Sequence, residues 1–274
     1  MIHIENLNFK YDRRPILFDG LNLSFNSGYI YGLLGLNGVG KTTLLKIMMG
    51  MLFPKGGMCR VLDYETQKRQ PAMLADMMFV PEEFYAPNMT IGRYVNLYAP
   101  FYPSFNYEQF RSYMKELELT EKENFNSFSM GQKKKAILAF ALATNTRVLL
   151  MDEPTNGLDI PSKAEFRRML ASVVADDRCI IISTHQVRDV EKLIDTVVIL
   201  DNGMIILNRR VDEITSKISF RTLSELTGQE IYSESSIEGY RAMLPKTDEE
   251  PTQIDLELLF NACNKYSSDF QKNY

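Results

Sequence analysis

A glycine-rich stretch, GLNGVGKTT, occupies residues 35–43 and fits the pattern G-x-x-x-x-G-K-[ST]. Glycines let the backbone fold tightly around an anion, so that main-chain N–H groups and the next helix start point at phosphate oxygens. In this chemistry Lys41 neutralises the β- and γ-phosphates of a nucleotide, and the Thr42 hydroxyl is a ligand for Mg²⁺. The predicted nucleotide-binding residues are Gly35, Leu36, Asn37, Gly38, Val39, Gly40, Lys41, Thr42 and Thr43.

Two carboxylates follow the apolar run VLLM, as Asp152 and Glu153. A carboxylate at a strand end can hold the hydration shell of Mg²⁺, which suits Asp152. The next residue, Glu153, can orient and deprotonate an attacking water. A second apolar run, CIIIST, ends at His185, which the same reasoning places beside the γ-phosphate. Taken alone, the acidic pair can also be an ordinary turn between a strand and a helix, and His185 a structural residue.

Hydrophobic periodicity indicates which elements carry these residues. Alternating or continuous apolar runs predict strands, and an amphipathic stretch between two of them predicts a parallel crossover and an α/β layer architecture. The predicted strands are 2–10, 21–25, 28–35, 77–80, 148–152, 179–183 and 196–200, and the predicted helices are Lys41 to about Met49 and 161–175.

Residues 84–144 differ from this α/β pattern, since they are rich in aromatic residues and helical in periodicity. They predict a helical subdomain inserted into an ATPase domain that spans 1–211. The remaining residues, 212–274, form a small C-terminal accessory segment, in which 247–253 reads as a loop and DLELLFNACNK as one closing amphipathic helix.

Composition narrows the functional classes. The formal net charge is −4 and the pI is about 5.4, which disfavours a nucleic-acid partner, since such binding relies on a basic surface. The three cysteines are scattered and favour reduced thiols in a cytoplasmic protein. The start of the chain lacks the apolar run of a signal peptide, and no stretch has the length of a membrane span. We therefore expect a soluble protein whose membrane role, if it has one, comes through a partner.

In this order and combination the motifs resemble those of the ATP-binding subunit of an ABC transporter, over roughly residues 1–210. GLNGVGKTT resembles the Walker A loop, VLLMDE the Walker B strand, NGLD the D-loop with Asp159 at its end, and FSMGQ the signature. His185 resembles the switch histidine. Tyr11 stands where the family stacks an aromatic ring on adenine, although on sequence alone it can equally be a core aromatic at a strand end.

The resemblance implies a P-loop NTPase cassette with a RecA-like core, an antiparallel β subdomain, a helical subdomain and a short C-terminal appendage. It implies ATP and Mg²⁺ as ligands, with Glu153, His185 and Lys41 catalytic and with Thr42, Glu82 and Asp152 on the metal. It also implies a head-to-tail homodimer, or a heterodimer with a similar cassette. In that pair the signature residues of one chain serve the ATP of the other; these residues are Ser129, Met130, Gly131 and Gln132.

The family further implies separate membrane permease subunits, with the chain lying on the inner face of the cell membrane. The short C-terminal tail, Glu82, the signature variant and FYPSF resemble features of the ATPases of ABC-2-type exporters. The aromatic residues 84–110 can form a groove for a permease helix, pack the helical lobe, or do both. Two other functions stay open, a soluble ABC ATPase without a transport role and a regulatory subunit with slow turnover.

Two positions depart from the family pattern, and one charged run needs an interpretation. Met130 replaces the first glycine of the signature, and Glu82 replaces a glutamine that touches Mg²⁺ and the membrane partner. Ser129 and Gln132 have the spacing of a capping box, which predicts a helix start. The lysines at 133–135 are accordingly predicted to be the exposed first turn of that helix.

Overall fold

The computed structural model describes residues 1–247 and 252–266. Its strands are β1 (Ile2–Lys10), β2 (Ile16–Phe25), β3 (Tyr29–Leu34), β4 (Gly56–Val61), β5 (Tyr64–Glu65), β6 (Met77–Val80), β7 (Val148–Asp152), β8 (Cys179–Thr184), β9 (Thr196–Asp201), β10 (Met204–Arg210), β11 (Ile218–Leu223), β12 (Tyr232–Ser236) and β13 (Gly239–Pro245). Its helices are α1 (Lys41–Met48), α2 (Pro71–Leu74), α3 (Ile91–Tyr98), α4 (Tyr107–Glu116), α5 (Met130–Ala143), α6 (Ile160–Ala171), α7 (Val211–Lys217) and α8 (Leu256–Lys265).

A six-stranded sheet with the order β10-β9-β3-β8-β7-β6 forms the centre of the fold. All its neighbours run parallel except β10, which pairs antiparallel with β9. Strands β7 and β8 are buried along their whole length, as their continuous apolar sequences predict for strands covered on both faces. Leu34 pairs with Thr184, and Asp152 pairs with Ser183. The carboxyl ends of β3, β7 and β8 therefore lie at one edge, where the predicted chemistry is concentrated.

A second, antiparallel sheet with the order β2-β1-β4-β5 covers one side of this core. Strand β1 turns Ile2, Ile4, Leu7 and Phe9 inward, although register shifts interrupt its pairing. Helix α1 buries Leu44 and Ile47 in the same cluster as these strands. The predicted antiparallel subdomain is confirmed, and its strands pack against α1, the helix that follows the glycine-rich loop.

The inserted residues between β6 and β7 form α3, α4 and α5. Of the apolar residues at helical spacing in the predicted amphipathic helix, Phe110 and Met114 of α4 and Leu117 just after it are buried, whereas Tyr107 is exposed. The rings of Tyr94 and Phe105 pack on Phe140 of α5. Other apolar side chains of the same region stay exposed to solvent; they are Tyr85, Leu97, Tyr98 and Phe101. The aromatic block thus supplies both core and surface.

The C-terminal residues contain more structure than the single helix that the sequence predicts. Strands β11, β12 and β13 form an antiparallel sheet with the order β11-β13-β12, and α8 is present as expected. The predicted loop at 247–253 lies mostly outside the described residues. Leu256, Leu259 and Cys263 of α8 share one buried cluster with Val187 and Ile194 of the main body. The division at residue 212 stays a prediction, and it does not separate two hydrophobic cores.

Polar contacts fix α8 to the main body. The Arg241 guanidinium of β13 donates to both Asp255 carboxylate oxygens at 2.6 and 2.7 Å, and Asp255 also caps α8 by accepting from the Leu258 N–H at 2.9 Å. The Leu256 N–H donates to Glu191 at 2.7 Å. Within residues 1–247 and 252–266, no helix is long and apolar enough to cross a membrane.

We predict that Arg241→Met loosens this C-terminal packing, since it removes a paired guanidinium from a carboxylate that caps a helix. The expected loss is about 1–2 kcal/mol in the free energy of unfolding, which lowers the melting temperature by roughly 2–4 °C per kcal/mol. Thermal unfolding followed by circular dichroism measures this shift. Arg93→Met, at an exposed position of α3, is the matched control, and equal melting temperatures for the two variants would contradict the prediction.

Candidate functional site

The glycine-rich loop passes from β3 into α1 at Gly40, which has a φ of 114°. A Cβ atom there would lie 2.9 Å from the Phe18 ring, so the position requires glycine on both conformational and steric grounds. Because glycine has no side chain to cap α1, the first N–H groups of the helix remain available to an external acceptor. This is the local arrangement that suits a phosphate.

Lys41 lies inside the loop, where its ammonium donates to the carbonyl of Gly35 at 2.6 Å and to that of Leu36 at 3.1 Å. Burial lowers the pKa of Lys41, while the charges of Glu153, Asp152 and Glu82 oppose that shift. The ammonium is therefore held between the loop and a group of carboxylates. In this position it faces the space that a phosphate would occupy.

Asp152 joins two elements at the end of β7. Its Oδ2 atom accepts a hydrogen bond of 2.6 Å from the Thr42 hydroxyl of α1, and its Oδ1 atom accepts one from the Ser183 hydroxyl of β8. Asp152 and Ser183 are buried. The sequence prediction put Thr42 and Asp152 on a common metal, and the structure brings their oxygens together. Ser183 is a contributor that the sequence prediction missed, although a hydroxyl inside an apolar strand was a usable signal.

Glu153 begins the turn that follows β7, and both of its carboxylate oxygens accept hydrogen bonds. Its Oε1 atom accepts from the His185 main-chain N–H at 2.9 Å and lies 2.7 Å from the His185 Nδ1 atom. Its Oε2 atom accepts from the Thr184 hydroxyl at 3.0 Å. The backbone φ of Glu153 is 45°, a left-handed conformation that non-glycine residues adopt at a free-energy cost of about 1–3 kcal/mol, most often at functional sites.

The glycine-rich loop and the two carboxylates line one cleft with a volume of about 600 Å³, whereas the predicted catalytic residue His185 lies outside this lining and borders a neighbouring pocket. The predicted residues that the cleft brings together are Tyr11, Asn37, Gly38, Gly40, Lys41, Thr42, Thr43, Glu82, Asp152 and Glu153. Gly35 and Leu36 contribute through their carbonyls to Lys41, and Val39 packs partly into the core. The remaining lining residues, Arg14, Pro15, Ile16 and Leu17, were missed because they carry no motif.

Tyr11 stands at the outer end of the cleft. Its hydroxyl is 2.9 Å from the Thr43 Oγ1 atom, and its ring packs edge-on against Phe9. The Arg14 guanidinium lies 5.9 Å from the ring centroid. With 37% of its surface exposed, the ring is not a buried core residue, so a face remains for stacking by a planar ligand.

Glu82 also lines the cleft, yet its Oε1 atom accepts a hydrogen bond of 2.8 Å from the side-chain amide of Asn156. The carboxylate is thus tied to the turn that follows Glu153. Among the residues that the structure describes, no group of three or more His, Cys, Asp or Glu side chains could hold a metal ion. Any cation here therefore depends on hydroxyl oxygens and on a ligand as well as on carboxylates.

The predicted signature residues lie outside this cleft, at the start of α5. Ser129 Oγ accepts from the Gln132 N–H at 3.2 Å, and the Gln132 side chain accepts from the Ser129 N–H at 3.0 Å, which confirms the capping box. Met130 is 67% exposed. A Cβ atom on Gly131 would lie 3.4 Å from the Gly157 carbonyl, so the helix start adjoins the predicted D-loop. Asp159 ends that loop and caps α6 through the Ser162 N–H at 2.9 Å.

The prediction of an exposed lysine run is wrong, since Lys133 and Lys135 are half-buried and Lys134 between them is buried. Lys134 is only 3% exposed, and its ammonium donates to the main-chain carbonyls of Glu153 at 2.7 Å and Asn156 at 3.0 Å. Lys135 lies 3.4 Å from Glu165 of α6. A run of charged residues usually indicates a helix face in contact with solvent. On α5, however, the side chain of Lys134 lies against the turn that follows β7. The spacing of Lys134 before the buried Ile137 and Leu138 was the one available signal.

A glycine-rich loop with a buried lysine, between a parallel sheet and a helix and facing an acidic strand end, defines a P-loop nucleotide-binding protein. The family model described as ABC transporter matches residues 18–156. The chain belongs to this family, as one of its ATP-binding proteins.

Individual relatives agree with this assignment. The ABC transporter ATP-binding protein YtrB of Bacillus subtilis is 27% identical over 94% of this chain and 91% of its own length. The Nod factor export ATP-binding protein I of Ralstonia nicotianae is 26% identical over 78% of this chain and 68% of its own length. A solved ATP-binding subunit of an ABC transporter superposes with a TM-score of 0.70 at 23% identity, over 79% of this chain and 92% of that one, and shows the same fold.

We predict that Glu82→Gln keeps ATP binding but changes its dependence on Mg²⁺, because the amide retains the acceptor for Asn156 and loses the negative charge. The Mg²⁺ concentration for half-maximal binding of a fluorescent ATP analogue should rise roughly 2–5-fold, the scale of one charge interaction in a partly exposed site. Glu83→Gln removes the same charge from an exposed neighbour and is the control. Overlapping magnesium titrations for the two variants would rule out a role for Glu82 at the cation.

Proposed function

We propose that the chain binds ATP with Mg²⁺ and hydrolyses it to ADP and phosphate to drive a transporter. The observation that carries this proposal is the convergence of Lys41, the Thr42–Asp152 pair and Glu153 on one cleft, with His185 held against Glu153 from outside the cleft lining. Each of the three suits a different part of the reaction. Lys41 suits phosphate binding, the Thr42–Asp152 pair suits the cation, and the Glu153–His185 pair suits the attacking water.

The residues that line the cleft would suit ATP at both ends. Tyr11, Ile16 and Leu17 give the outer end an apolar and aromatic lining that suits an adenine base. The uncapped start of α1 and the Lys41 ammonium provide N–H donors and positive charge at the inner end. The cleft therefore offers a stacking surface at its outer end and N–H donors with positive charge at its inner end, an arrangement that would suit a nucleoside triphosphate.

Thr42 and Asp152 would hold Mg²⁺, since both offer oxygen ligands at the inner end of the cleft. When bound, that cation would neutralise charge on the phosphate oxygens. The Thr42–Asp152 hydrogen bond fixes these two oxygens relative to each other before any ligand arrives. Ser183 orients the carboxylate from its other side.

Glu153 would act as the general base. A water placed between Glu153 and the γ-phosphate loses its proton to the carboxylate while its oxygen bonds to phosphorus and the bond to the ADP oxygen breaks. His185 Nδ1 and the Thr184 hydroxyl hold the Glu153 carboxylate in one orientation. Such restraint favours hydrolysis because a pre-oriented base needs no rearrangement at the moment of attack.

A second chain would complete each site. Ser129 and Gly131 lie outside the cleft of their own chain, at an exposed helix start that suits an anion. The Ser129 oxygen already accepts a bond within the capping box, and its proton remains for donation to a phosphate. A head-to-tail dimer, of this chain or with a similar cassette, would bring that proton to the ATP of the partner, as subunits of this family pair.

The exposed apolar side chains of the helical region would receive a membrane permease. Leu97, Tyr98 and Phe101 are exposed on and just after α3, and such a patch suits a short helix of a partner subunit. The protein would then lie at the cytoplasmic face of the membrane. We assign export as the direction, which is supported by the relative named as a Nod factor export protein.

We predict that Glu153→Gln traps an ATP-bound dimer, because the amide cannot accept the proton of the attacking water. ATP turnover should fall roughly 100-fold or more, in line with the loss of a general base, and light scattering should show a dimer in ATP and Mg²⁺, either alone or with the permease.

Adding Ser129→Arg to Glu153→Gln should return the protein to monomers, since the bulky cation blocks the second chain. Hydrolysis by Glu153→Gln at the parental rate would refute Glu153 as the base.

Two further measurements separate the other candidate functions. A parent chain with no measurable turnover would favour a regulatory subunit, and failure to co-purify with any solubilised membrane protein would favour a non-transport ATPase.

A further inference from the structure

Lys134 is a buried cation that the reaction described above does not use. It lies in the second turn of α5, with 3% of its surface exposed. Its two hydrogen bonds, of 2.7 and 3.0 Å, end on main-chain carbonyls of Glu153 and Asn156, in the turn that follows β7. A lysine that only covered a helix face would keep its ammonium in water.

The charges around Lys134 explain how an ammonium is tolerated there. Burying a cation is unfavourable unless carboxylates and hydrogen bonds compensate for the lost water. Burial lowers the pKa of Lys134, and the charges of Glu82, Glu153 and Asp152 oppose the shift, with Glu82 the strongest of the three. The hydrogen bonds of Lys134 go to neutral carbonyls, so its full positive charge remains to balance those carboxylates.

The two carbonyls that accept hydrogen bonds from Lys134 belong to the proposed base, Glu153, and to Asn156 in the same turn. Glu153 holds a left-handed backbone with φ 45°, and its N–H donates to the Ser183 carbonyl at 2.9 Å. The Lys134 contact fixes the other end of the residue. Asn156, the second acceptor, donates its side-chain amide to Glu82. One ammonium therefore restrains the backbone of the proposed base and the residue that anchors Glu82.

The helix that carries Lys134 also carries the signature residues. Ser129 caps α5, and Lys134 is the fifth residue of this helix. In the proposed dimer the start of α5 contacts the ATP of the second chain, while Glu153 acts on the ATP of its own chain. A displacement of α5 on dimer closure would therefore be transmitted directly to the backbone of Glu153.

We propose that Lys134 is a positioning residue for hydrolysis, which ties the signature helix to the backbone of Glu153 and to Asn156, the residue that anchors Glu82. This inference rests on the proposed ATPase function. Lys134 does not line the cleft, and it acts by holding Glu153 and Asn156 where they are.

The lysine run provides a matched control. Lys133 precedes Lys134 on the same turn, points about 100° away around the helix, and is half-buried. Lys133→Gln and Lys134→Gln change the net charge equally and keep a good helix former at each position. A difference between the two variants then reports the contact with Glu153 and Asn156 and not the loss of a positive charge.

The experiment compares ATP hydrolysis by the parent, Lys133→Gln, Lys134→Gln, Glu82→Gln and the Glu82→Gln, Lys134→Gln double variant. We expect Lys134→Gln to lower kcat roughly 10- to 100-fold, as a misplaced catalytic group does, with KM for ATP changed less than about 3-fold because Lys41 and α1 are untouched. Lys133→Gln should stay within about 2-fold of the parent, like surface changes elsewhere. In the double variant the loss should be smaller than the product of the single losses by roughly 3-fold or more.

Hydrogen exchange followed by mass spectrometry provides a readout that does not need turnover. Peptides covering residues 153–159 should exchange faster in Lys134→Gln than in Lys133→Gln, because the Lys134 contacts no longer hold that turn. Lys134→Arg keeps the charge and the donors, and should recover most of the activity and the exchange protection if Lys134→Gln folds poorly.

The outcomes separate the inference from the function on which it rests. A parent without turnover counts against the proposed ATPase function, and hydrogen exchange alone then decides whether Lys134 holds the turn. Equal kcat values and equal exchange for the two lysine variants would overturn the inference while leaving the ATPase intact. A fall in activity with a proportional rise in KM would also overturn it, because it would assign Lys134 to ATP binding.

Discussion

The hydrogen bond from the Thr42 hydroxyl to Asp152 holds the site together, because it joins the first turn of α1 to the end of β7. Without a common edge for β3, β7 and β8, these two residues, which are distant in sequence, could not meet. The parallel register supplies that edge by pairing Asp152 with Ser183 and Leu34 with Thr184. The loop and the acidic residues then follow their strands into one cleft, and His185 lies beside it against Glu153. The parallel sheet therefore aligns the carboxyl ends of β3, β7 and β8.

Charge balance is the second constraint on the cleft. Lys41 belongs to α1 and Lys134 to α5. Burial lowers the pKa of both lysines, and the charges of Glu82, Asp152 and Glu153 oppose the change. The cleft lining carries the cations Lys41 and Arg14 and the carboxylates of Glu82, Asp152 and Glu153, so it has no excess of fixed positive side-chain charge. A triphosphate could enter such a site only with further neutralisation, which the uncapped start of α1, a divalent cation and a second chain would provide.

Much of this arrangement could be predicted from the sequence, because its signals are local. Continuous apolar runs predicted β7 and β8, and the motifs predicted Lys41, Asp152, Glu153 and the capping box of Ser129. Strand β12, with the sequence YSESS, was missed because polar residues on both faces give no period-two pattern. Lys134 was misread because its partners lie about 20 residues away, so only the fold decides whether a lysine run meets water or main-chain carbonyls.

The segment after His185 shows how the C-terminal residues become part of the same system. Val187–Asp189 forms a 3-10 turn directly after His185, and Arg188 in this turn donates through Nε to Glu257 of α8 at 2.9 Å. Glu191, a few residues on, accepts from the first N–H of α8. The histidine is therefore fixed on one side by Glu153 and on the other by a segment that α8 holds. Since Glu153 is in turn held by Lys134, the conformation of the Glu153–His185 pair depends on contacts from the signature helix and from the C-terminal helix together.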